Sequence, residues 1–573
     1  MTGVTGSVAD MAQSQSDVHE ISDRFVSDYV ALHPIFSTYL GLPGQDDKLT
    51  DYSPDGHAAR AELARSALAE ITAAEPADQA GQVAKAVFAE RIGLALETHE
   101  AKLDVSTFNI IDSPVQDVRQ VFDLMPTETA KDWATIAARL AAVPDSLGGI
   151  RSSLDYSASA GRPAAIRQVE RIAEQCETWA GATGDGSFFD HLVAPAEGVD
   201  GVSDALRRDL ENSAQAAAKA YGELATYLRE DLASRATTRD AVGEQDYRLH
   251  SRNFLGASVD LDEAYAWGWE EFARIEAEMK QVADRIRPGA SIAEAAELLD
   301  ADPRYQIHGH DEFAAWMQGL SDRALDELRG VHFDIPDEVM RLECKIAPPG
   351  GGIGAYYTSP SEDFSRPGRM WWSVPADRRD FTTWREVTTV YHEGAPGHHL
   401  QCAIALSAAG KLNTFQRMMC WVSGHGEGWA LYAERLMREL GYLDDEGDLL
   451  GMLDGQLFRA ARVVVDLGMH LELPIPAGYG FHDGQRWTPE LGLEFMLDRT
   501  IADPHHVRDE IDRYLGWPGQ APSYKLGERL WLTARDDART RAGDAFDLKA
   551  FHTAALEMGS MGLATLRERL ATL

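Results

Sequence analysis

The sequence predicts a mainly α-helical fold in two lobes, with a small antiparallel β-sheet in the second lobe. The chain has 573 residues, which is too long for one small core. Apolar residues recur about every 3.6 positions through most of the first half. Near residues 336–373 the composition shifts to proline, glycine and β-prone runs. We therefore expect a helical lobe over 18–334 and a second, integrated lobe over 335–573, after a disordered small and polar segment at 1–17.

Helical periodicity marks most of the first lobe. The segments that show it are 18–42, 57–74, 77–102, 127–143, 163–180, 203–233 and 261–286. Acidic side chains in these segments, such as Glu270 and Glu271, are expected on packed or solvated faces. His308 and His310 form a His-x-His without a third ligand close in sequence, so we expect no metal there.

Two β-prone runs follow, Ile353–Thr358 and Met370–Val374, with a turn-rich linker between them. They predict an antiparallel hairpin or small sheet. Its exposed edge, with Tyr356 and Tyr357, is expected to take an extended peptide as an added strand. A hairpin that only covers the core is the alternative reading.

Composition narrows the classes of partner. The net charge is −38 and the pI is about 4.8, which argues against nucleic acid and anionic membranes as partners. Four cysteines without a C-x-x-C pair indicate a reducing compartment. The first residues show no signal-peptide pattern, and no apolar run approaches the length of a membrane span. We expect a cytoplasmic protein whose oligomeric state is open, a homodimer being one option.

A histidine and glutamate cluster is the main chemical signal. His392-Glu393 resembles the start of H-E-x-x-H, but Pro396 stands where the second His belongs. On an unbroken helix His398 would point away, and His399 would lie roughly 10 Å along the axis. The helix must therefore break at Gly394–Gly397, where glycine and proline permit it. If two residues loop out, His398 becomes the second ligand, and His399 is the alternative.

A second helical run, 427–440, follows the cluster. Glu427 at its start could reach a metal ion held by the preceding helix. Glu434 lies seven residues later on the same face and could accept a hydrogen bond from a ligating histidine. His425, in the turn before this run, either lines the pocket or has no role. This pattern favours a metal-dependent hydrolase.

At these residues the chain resembles the bacterial family catalogued as "domain of unknown function 885". The family signature is similar to T-x-x-x-H-E-x-x-P-G-H-H-L-Q, followed by E-G-W-A-L-Y, and it corresponds here to Thr388–Gln401 and Glu427–Tyr432. The likeness spans most of the chain, from Asp51–Gly56 to Pro518–Gly527. Family members look like helical gluzincin peptidases, akin to angiotensin-converting enzyme and thimet oligopeptidase. The resemblance implies a metallopeptidase-like fold with a central cleft.

The same resemblance implies the roles of the cluster. It makes His392, His398 and Glu427 the ligands of one zinc ion and Glu393 the general base. A tyrosine late in the chain of similar gluzincins donates to the transition state, and Tyr524 matches it here. Packing is the alternative role for Tyr524.

Arg462, Asp466 and His470 follow at spacings of four on an otherwise apolar helix. This spacing lets the Asp466 carboxylate orient both neighbours. We expect His470 to stabilise the oxyanion and Arg462 to bind a peptide carboxylate. An ion-pair stripe without catalytic use is the alternative.

The function expected from the sequence is zinc-dependent hydrolysis of short peptides, with Glu393 activating a metal-bound water. Aminopeptidase, carboxypeptidase and oligopeptidase modes all agree with it. The alternatives are a metal-dependent hydrolase of simple amides or esters, and a binding or scaffold protein that keeps the metal without catalysis.

Overall fold

The structure is a computed structural model that describes residues 17–182, 184, 186–347, 354–375, 377–408 and 410–571. It divides into two compact units. The first contains residues up to Asp240 together with Leu515–Trp517. The second contains Ala241–Tyr514 and the residues from Pro518 onward. Apart from Asp17, which caps the first helix, the segment predicted to be disordered lies outside the described residues.

The first unit is helical. Its helices are α1 Val18–Leu32, α2 Pro34–Tyr39, α3 Pro54–Ala73, α4 Gln79–Glu100, α5 Pro114–Gln120, α6 Ala130–Ala141, α7 Val143–Ser159, α8 Ile166–Trp179, α9 Phe188–Val193, α10 Asp204–Tyr227 and α11 Ala233–Arg235. Helix α10 packs against α6, α7, α8 and α9. Its buried face, which includes Leu210, Tyr221 and Leu224, joins the core of the unit because apolar residues repeat along one side.

The second unit carries the remaining helices. They are α12 Glu244–Leu255, α13 Leu261–Ile286, α14 Ile292–Ala301, α15 His310–Leu328, α16 Val387–Glu393, α17 His398–Ser407, α18 Ser423–Glu439, α19 Glu446–Leu471, α20 Pro489–Arg499, α21 Pro504–Gly516, α22 Ser523–Ala542, α23 Leu548–Glu557 and α24 Leu563–Leu570. The last two residues of α21, Leu515 and Gly516, are grouped with the first unit.

Helices α18 and α22 approach each other closely at glycines. A Cβ atom on Gly428 would lie 2.4 Å from the carbonyl carbon of Gly527, and one on Gly527 would lie 2.2 Å from the carbonyl oxygen of Gly424. Only glycine fits such a contact between backbones. The contact brings the first turn of α22, with Tyr524, against the first two turns of α18, with Glu427.

Among the described residues of the second unit, five short strands form two sheets. Strand β1 (Gln306–His308) pairs antiparallel with β5 (Asp380–Thr382). Strands β2 (Leu342–Ile346), β3 (Gly354–Thr358) and β4 (Gly368–Ser373) form a sheet in the order β2-β4-β3. The predicted antiparallel pair is β3 with β4, whereas β2 runs parallel to β4. The expectation of a purely antiparallel sheet is therefore wrong, because a strand outside the hairpin completes it.

The mainly helical prediction is confirmed, with 68% of residues in helices and 5% in strands. The contacts divide the chain after Asp240, before the boundary predicted at 334, because α13 packs along α19 from much later in the sequence. A central cleft stays a prediction.

No described helix is both long enough and apolar enough to cross a bilayer. All four cysteines carry free thiols.

Candidate metal centre

The helix that carries His392 and Glu393 breaks at the predicted place. Helix α16 ends at Glu393, and α17 begins at His398. A Cβ atom on Gly397 would lie 1.9 Å from the carbonyl oxygen of His392. The Gly397 amide donates to the Tyr391 carbonyl at 3.0 Å, and the Trp429 indole donates to the Pro396 carbonyl at 2.9 Å. The turn folds back tightly, so only glycine fits at its end.

This turn brings His398 next to His392 and both next to Glu427. The Nε2 atoms of His392 and His398 lie 3.3 and 3.5 Å from Oε2 of Glu427. The three ligand atoms all lie within 4.8 Å of one another. Helix α18 begins at Ser423, so Glu427 lies one turn inside the helix and not at its start as predicted.

These distances suit a shared cation better than direct hydrogen bonds. Charge-assisted N–H···O bonds are shorter, at about 2.7–2.9 Å. Four ligands about 2.05 Å from a tetrahedral zinc ion lie about 3.3 Å apart. Burial opposes a charge on His392, but the neighbouring carboxylates of Glu427 and Glu434 outweigh it and raise the His392 pKa to about 10. Two imidazoles with one carboxylate are a set of ligands that fits zinc.

Glu434 fixes the orientation of His392. Its Oε1 lies 2.7 Å from Nδ1 of His392, and its Oε2 accepts a hydrogen bond from the Thr388 hydroxyl at 2.8 Å. The Glu434 side chain is fully buried. A carboxylate on Nδ1 selects the tautomer that leaves Nε2 free for a metal. The sequence predicted this contact.

Arg459, on α19, was not singled out by the sequence. Burial alone would raise the Glu434 pKa, but the positive charge of Arg459 and the hydrogen bonds of Glu434 lower it below its usual value. Arg459 also acts electrostatically on Glu393. The only sequence signal was an arginine on a strongly apolar helix.

Glu393 is buried beside the cluster. Burial raises the pKa of its carboxyl group, while the charges of His392 and His398 oppose that rise. The negative charge of Glu427 adds to it. Glu393 therefore lies within electrostatic reach of all three candidate ligands.

Tyr524 lies on the α22 side of the cluster. Burial raises the pKa of its phenol, and the negative charge of Glu427 adds to the rise. The hydroxyl therefore keeps its proton and can donate a hydrogen bond. The guanidinium group of Arg462 lies 4.8 Å from the centre of the Tyr524 ring. Arg462 thus packs against the Tyr524 ring, and its guanidinium group forms an ion pair with Glu510 at 2.7 Å.

The predicted stripe of Arg462, Asp466 and His470 does not act as a unit. Asp466 accepts hydrogen bonds from the Tyr247 hydroxyl at 2.5 Å and the Gly519 amide at 3.1 Å. The prediction that Asp466 orients both neighbours is wrong, because α12 and the Gly519 turn supply its partners.

His470 and Arg462 also differ from the prediction. Nε2 of His470 lies 2.9 Å from the Tyr514 carbonyl, and burial lowers the His470 pKa to about 4. A neutral His470 that donates to this carbonyl has no second N–H for an oxyanion. Arg462 is held by Glu510 and by the Tyr514 hydroxyl at 3.0 Å, so its charge is already paired within the protein.

His399 is turned away from the candidate ligands. Its Nε2 lies 2.7 Å from the Val339 carbonyl and its Nδ1 lies 3.0 Å from the Tyr357 hydroxyl. Both ring nitrogens are therefore used, so the geometry favours His398 as the second ligand. Tyr357 holds His399, and the exposed Tyr356 stacks on Trp371.

His425 is a core residue. Its Nδ1 pairs with the Gln401 amide at 2.9 Å, and its ring packs on Trp531. Burial lowers its pKa to about 3, so the ring is neutral. It is 1% exposed and does not line an open pocket.

Trp421 is a second residue that the sequence did not single out. Its indole is 53% exposed, and its ring centre lies 6.1 Å from that of His398. An exposed tryptophan carries no distinctive sequence signal, so only the fold reveals its place beside the cluster.

Two solved structures share this fold. One, a presumed lipoprotein from Colwellia psychrerythraea, has 23% identity over 97% of this chain and 98% of its own, with a TM-score of 0.82. The other, a presumed lipoprotein of unknown function from Shewanella oneidensis, has 18% identity over 97% of this chain and 100% of its own, with a TM-score of 0.74. At these identities the likeness concerns the fold alone. No curated protein matches the chain.

The sequence profile of the family described as "Bacterial protein of unknown function (DUF885)" matches residues 34–570. The matched range contains the broken helix and all three candidate ligands, His392, His398 and Glu427. The chain therefore belongs to the DUF885 family.

Proposed function

We propose that this protein is a zinc-dependent peptidase that acts on short peptides. The observation that carries the proposal is the convergence of His392, His398 and Glu427, whose ligand atoms all lie within 4.8 Å of one another, with Glu434 on the far nitrogen of His392. A carboxylate behind a histidine is the usual arrangement around a catalytic zinc ion. The spacing alone would also suit a structural site, but Glu393 adds a buried fourth group that such a site does not need.

Each residue has a defined task in this proposal. A bound zinc ion would polarise the peptide carbonyl and make its water acidic. Glu393 removes the proton from the water and delivers it to the leaving amine. Tyr524 donates a hydrogen bond to the developing oxyanion, which is typically worth about 3 kcal/mol when the donor is preorganised.

The small sheet supports a peptide substrate over a simple amide. Strand β3 lies at the edge of its sheet and contacts α16, the helix that carries His392 and Glu393. An edge strand offers unpaired backbone groups to an extended peptide. A small amide or ester would make no use of this edge.

The general base is tested with Glu393→Gln and His392→Ala. We expect Glu393→Gln to bind zinc like the wild type and to lose hydrolysis by about 10²-fold or more, because only proton transfer is removed. His392→Ala is expected to lose both zinc binding and hydrolysis. Metal content is measured by elemental analysis, and hydrolysis is measured on a panel of short peptides, simple amides and esters.

Glu362→Gln serves as the control, because the Glu362 carboxylate is 63% exposed and pairs with Arg417. Full activity in Glu393→Gln would contradict the assigned base. Cleavage of esters or amides without cleavage of any peptide would replace the peptidase by the simpler hydrolase. Tight zinc binding without any hydrolysis would favour a scaffold protein.

A further inference from the structure

Trp421 is the only tryptophan among the large apolar side chains that are exposed in the described part of the chain. It lies in the short link between a π-helical turn, Phe415–Met419, and the start of α18. Two other tryptophans nearby, Trp429 and Trp531, are fully buried and donate to backbone carbonyls. Trp429 and Trp531 are core residues, whereas about half of the Trp421 surface is exposed to solvent.

The position of the Trp421 ring is set by the backbone of α18. A Cβ atom on Gly426 would lie 2.4 Å from Cη2 and 2.7 Å from Cζ2 of Trp421. The six-membered ring therefore lies directly against Gly426, the residue before Glu427. The centre of the indole also lies 6.1 Å from that of the His398 ring, with the two ring planes tilted by 53°. The indole is thus held against the backbone of the residue that precedes Glu427 and close to the ring of His398.

We propose that Trp421 forms the wall of a subsite for an aromatic or large aliphatic side chain next to the scissile bond. This inference rests on the proposed peptidase function and names its preferred substrates. A carbonyl oxygen that reaches an ion held by His398 and Glu427 brings the neighbouring substrate side chain within reach of the indole.

The chemistry of the indole defines which side chains it accepts. Its exposed face offers apolar area, and burying a substrate side chain there gains free energy in proportion to that area. Aromatic rings gain more through offset or edge-to-face packing. Small or charged side chains gain little from such a wall. Isolated exposed apolar residues are common on proteins, but this one lies against a candidate catalytic site.

The test uses hydroxamates, which bind a catalytic metal directly and report on the neighbouring side chain without any turnover. The probes are the hydroxamates of phenylalanine, leucine, alanine and glutamate. They are titrated calorimetrically into zinc-loaded wild type, Trp421→Ala and Trp421→Phe. The measured quantity is the ratio of the dissociation constants of two probes within one variant, so a general loss of affinity cancels.

We expect the wild type to bind phenylalanine hydroxamate at least about tenfold more tightly than alanine hydroxamate, which corresponds to about 1.4 kcal/mol. Trp421→Ala should reduce this ratio to about twofold or less, since the apolar wall is removed. Trp421→Phe keeps an aromatic surface and should keep most of the ratio. Zinc content and thermal unfolding show whether each variant is intact.

The outcomes separate this inference from the proposed function. Hydroxamate binding without an aromatic preference, or a preference that persists in Trp421→Ala, would overturn the subsite and leave the metal centre in place. Failure of the wild type to take up zinc would overturn both. If Trp421→Ala fails to fold, Trp421→Gln, which keeps bulk but removes the apolar wall, replaces it. Loss of the ratio in Trp421→Gln supports the subsite, and an unchanged ratio overturns it.

Discussion

Glu434 has both carboxylate oxygens engaged, one by His392 and one by Thr388. We expect Glu434→Gln to weaken zinc binding about 10–100-fold, because the glutamine keeps an acceptor for His392 but loses the charge. Competition with a fluorescent chelator measures the affinity. Glu439→Gln, on the same helix but 41% exposed, should bind zinc as the wild type does. Equal affinities in both variants would mean that Glu434 only packs.

A substitution of Tyr524 should affect the rate of hydrolysis without affecting zinc binding. We expect Tyr524→Phe to keep its zinc and to lower kcat about 10²–10³-fold, the usual effect of removing one oxyanion donor. The ring and its contact with Arg462 remain, so the fold should not change. Steady-state kinetics on a cleaved peptide, with metal analysis in parallel, measure both. An unchanged kcat would assign Tyr524 to packing.

The turn between α16 and α17 is the element that creates the site. A Cβ atom on Gly397 would overlap the carbonyl oxygen of His392. We expect Gly397→Ala to lose zinc and to destabilise the protein by about 1–3 kcal/mol, the usual effect of overpacking. Metal analysis and urea unfolding measure the two effects.

Gly410→Ala is the matched control for the turn, because a Cβ atom there meets nothing within 4 Å. It should keep both zinc and stability. If Gly397→Ala behaves like Gly410→Ala, the turn can adopt another path and does not determine the position of His398.

At the scale of the whole second unit, a buried charge network joins four helices around the site. Lys525 of α22 is fully buried and pairs with Glu528 at 2.5 Å and with Glu271 of α13 at 3.1 Å. Arg435 of α18 pairs with Glu528 at 2.6 Å, and Gln456 of α19 accepts a hydrogen bond from Lys525. Lys525 is therefore a buried cation that the carboxylates of Glu271 and Glu528 share.

We expect Lys525→Met to destabilise the protein by about 3–5 kcal/mol, because both carboxylates then lose a buried partner. Urea unfolding of the zinc-free protein measures the change. Lys411→Met removes a pair with Glu557 in which the lysine is 61% exposed, and it should cost less than about 1 kcal/mol. A similar small effect in both variants would show that the network relaxes when its cation is lost.

The same network makes stability depend on pH. Burial opposes ionisation of Glu271, but hydrogen bonds and charges from Arg274, Lys525 and Arg435 outweigh it and lower its pKa to about 2. A carboxyl group with a lowered pKa stabilises the folded state above its unfolded pKa of about 4.5. This contribution is therefore lost as the pH falls from about 4.5 to about 2.

The sequence by itself determined the helical class, the β3–β4 pair and the place where α16 must break. Periodicity, glycine and proline are local properties, so local structure can be derived from them. The motif around His392 also singled out Glu393 and, with His399 as the alternative, His398. Glu434 was singled out by its spacing of seven residues from Glu427, because that spacing places both side chains on one face of a helix. The cytoplasmic location and the peptidase activity stay predictions.

Only the tertiary structure decided which partners the other polar residues have. Asp466 and His470 share a helical face, yet Tyr247, Gly519 and Tyr514 from other elements take their hydrogen bonds. Trp421 lies beside His398 because α18 begins at Ser423 and Gly426 makes room for the ring. A buried polar group pairs with whatever the packing brings to it, and that choice depends on contacts between distant segments.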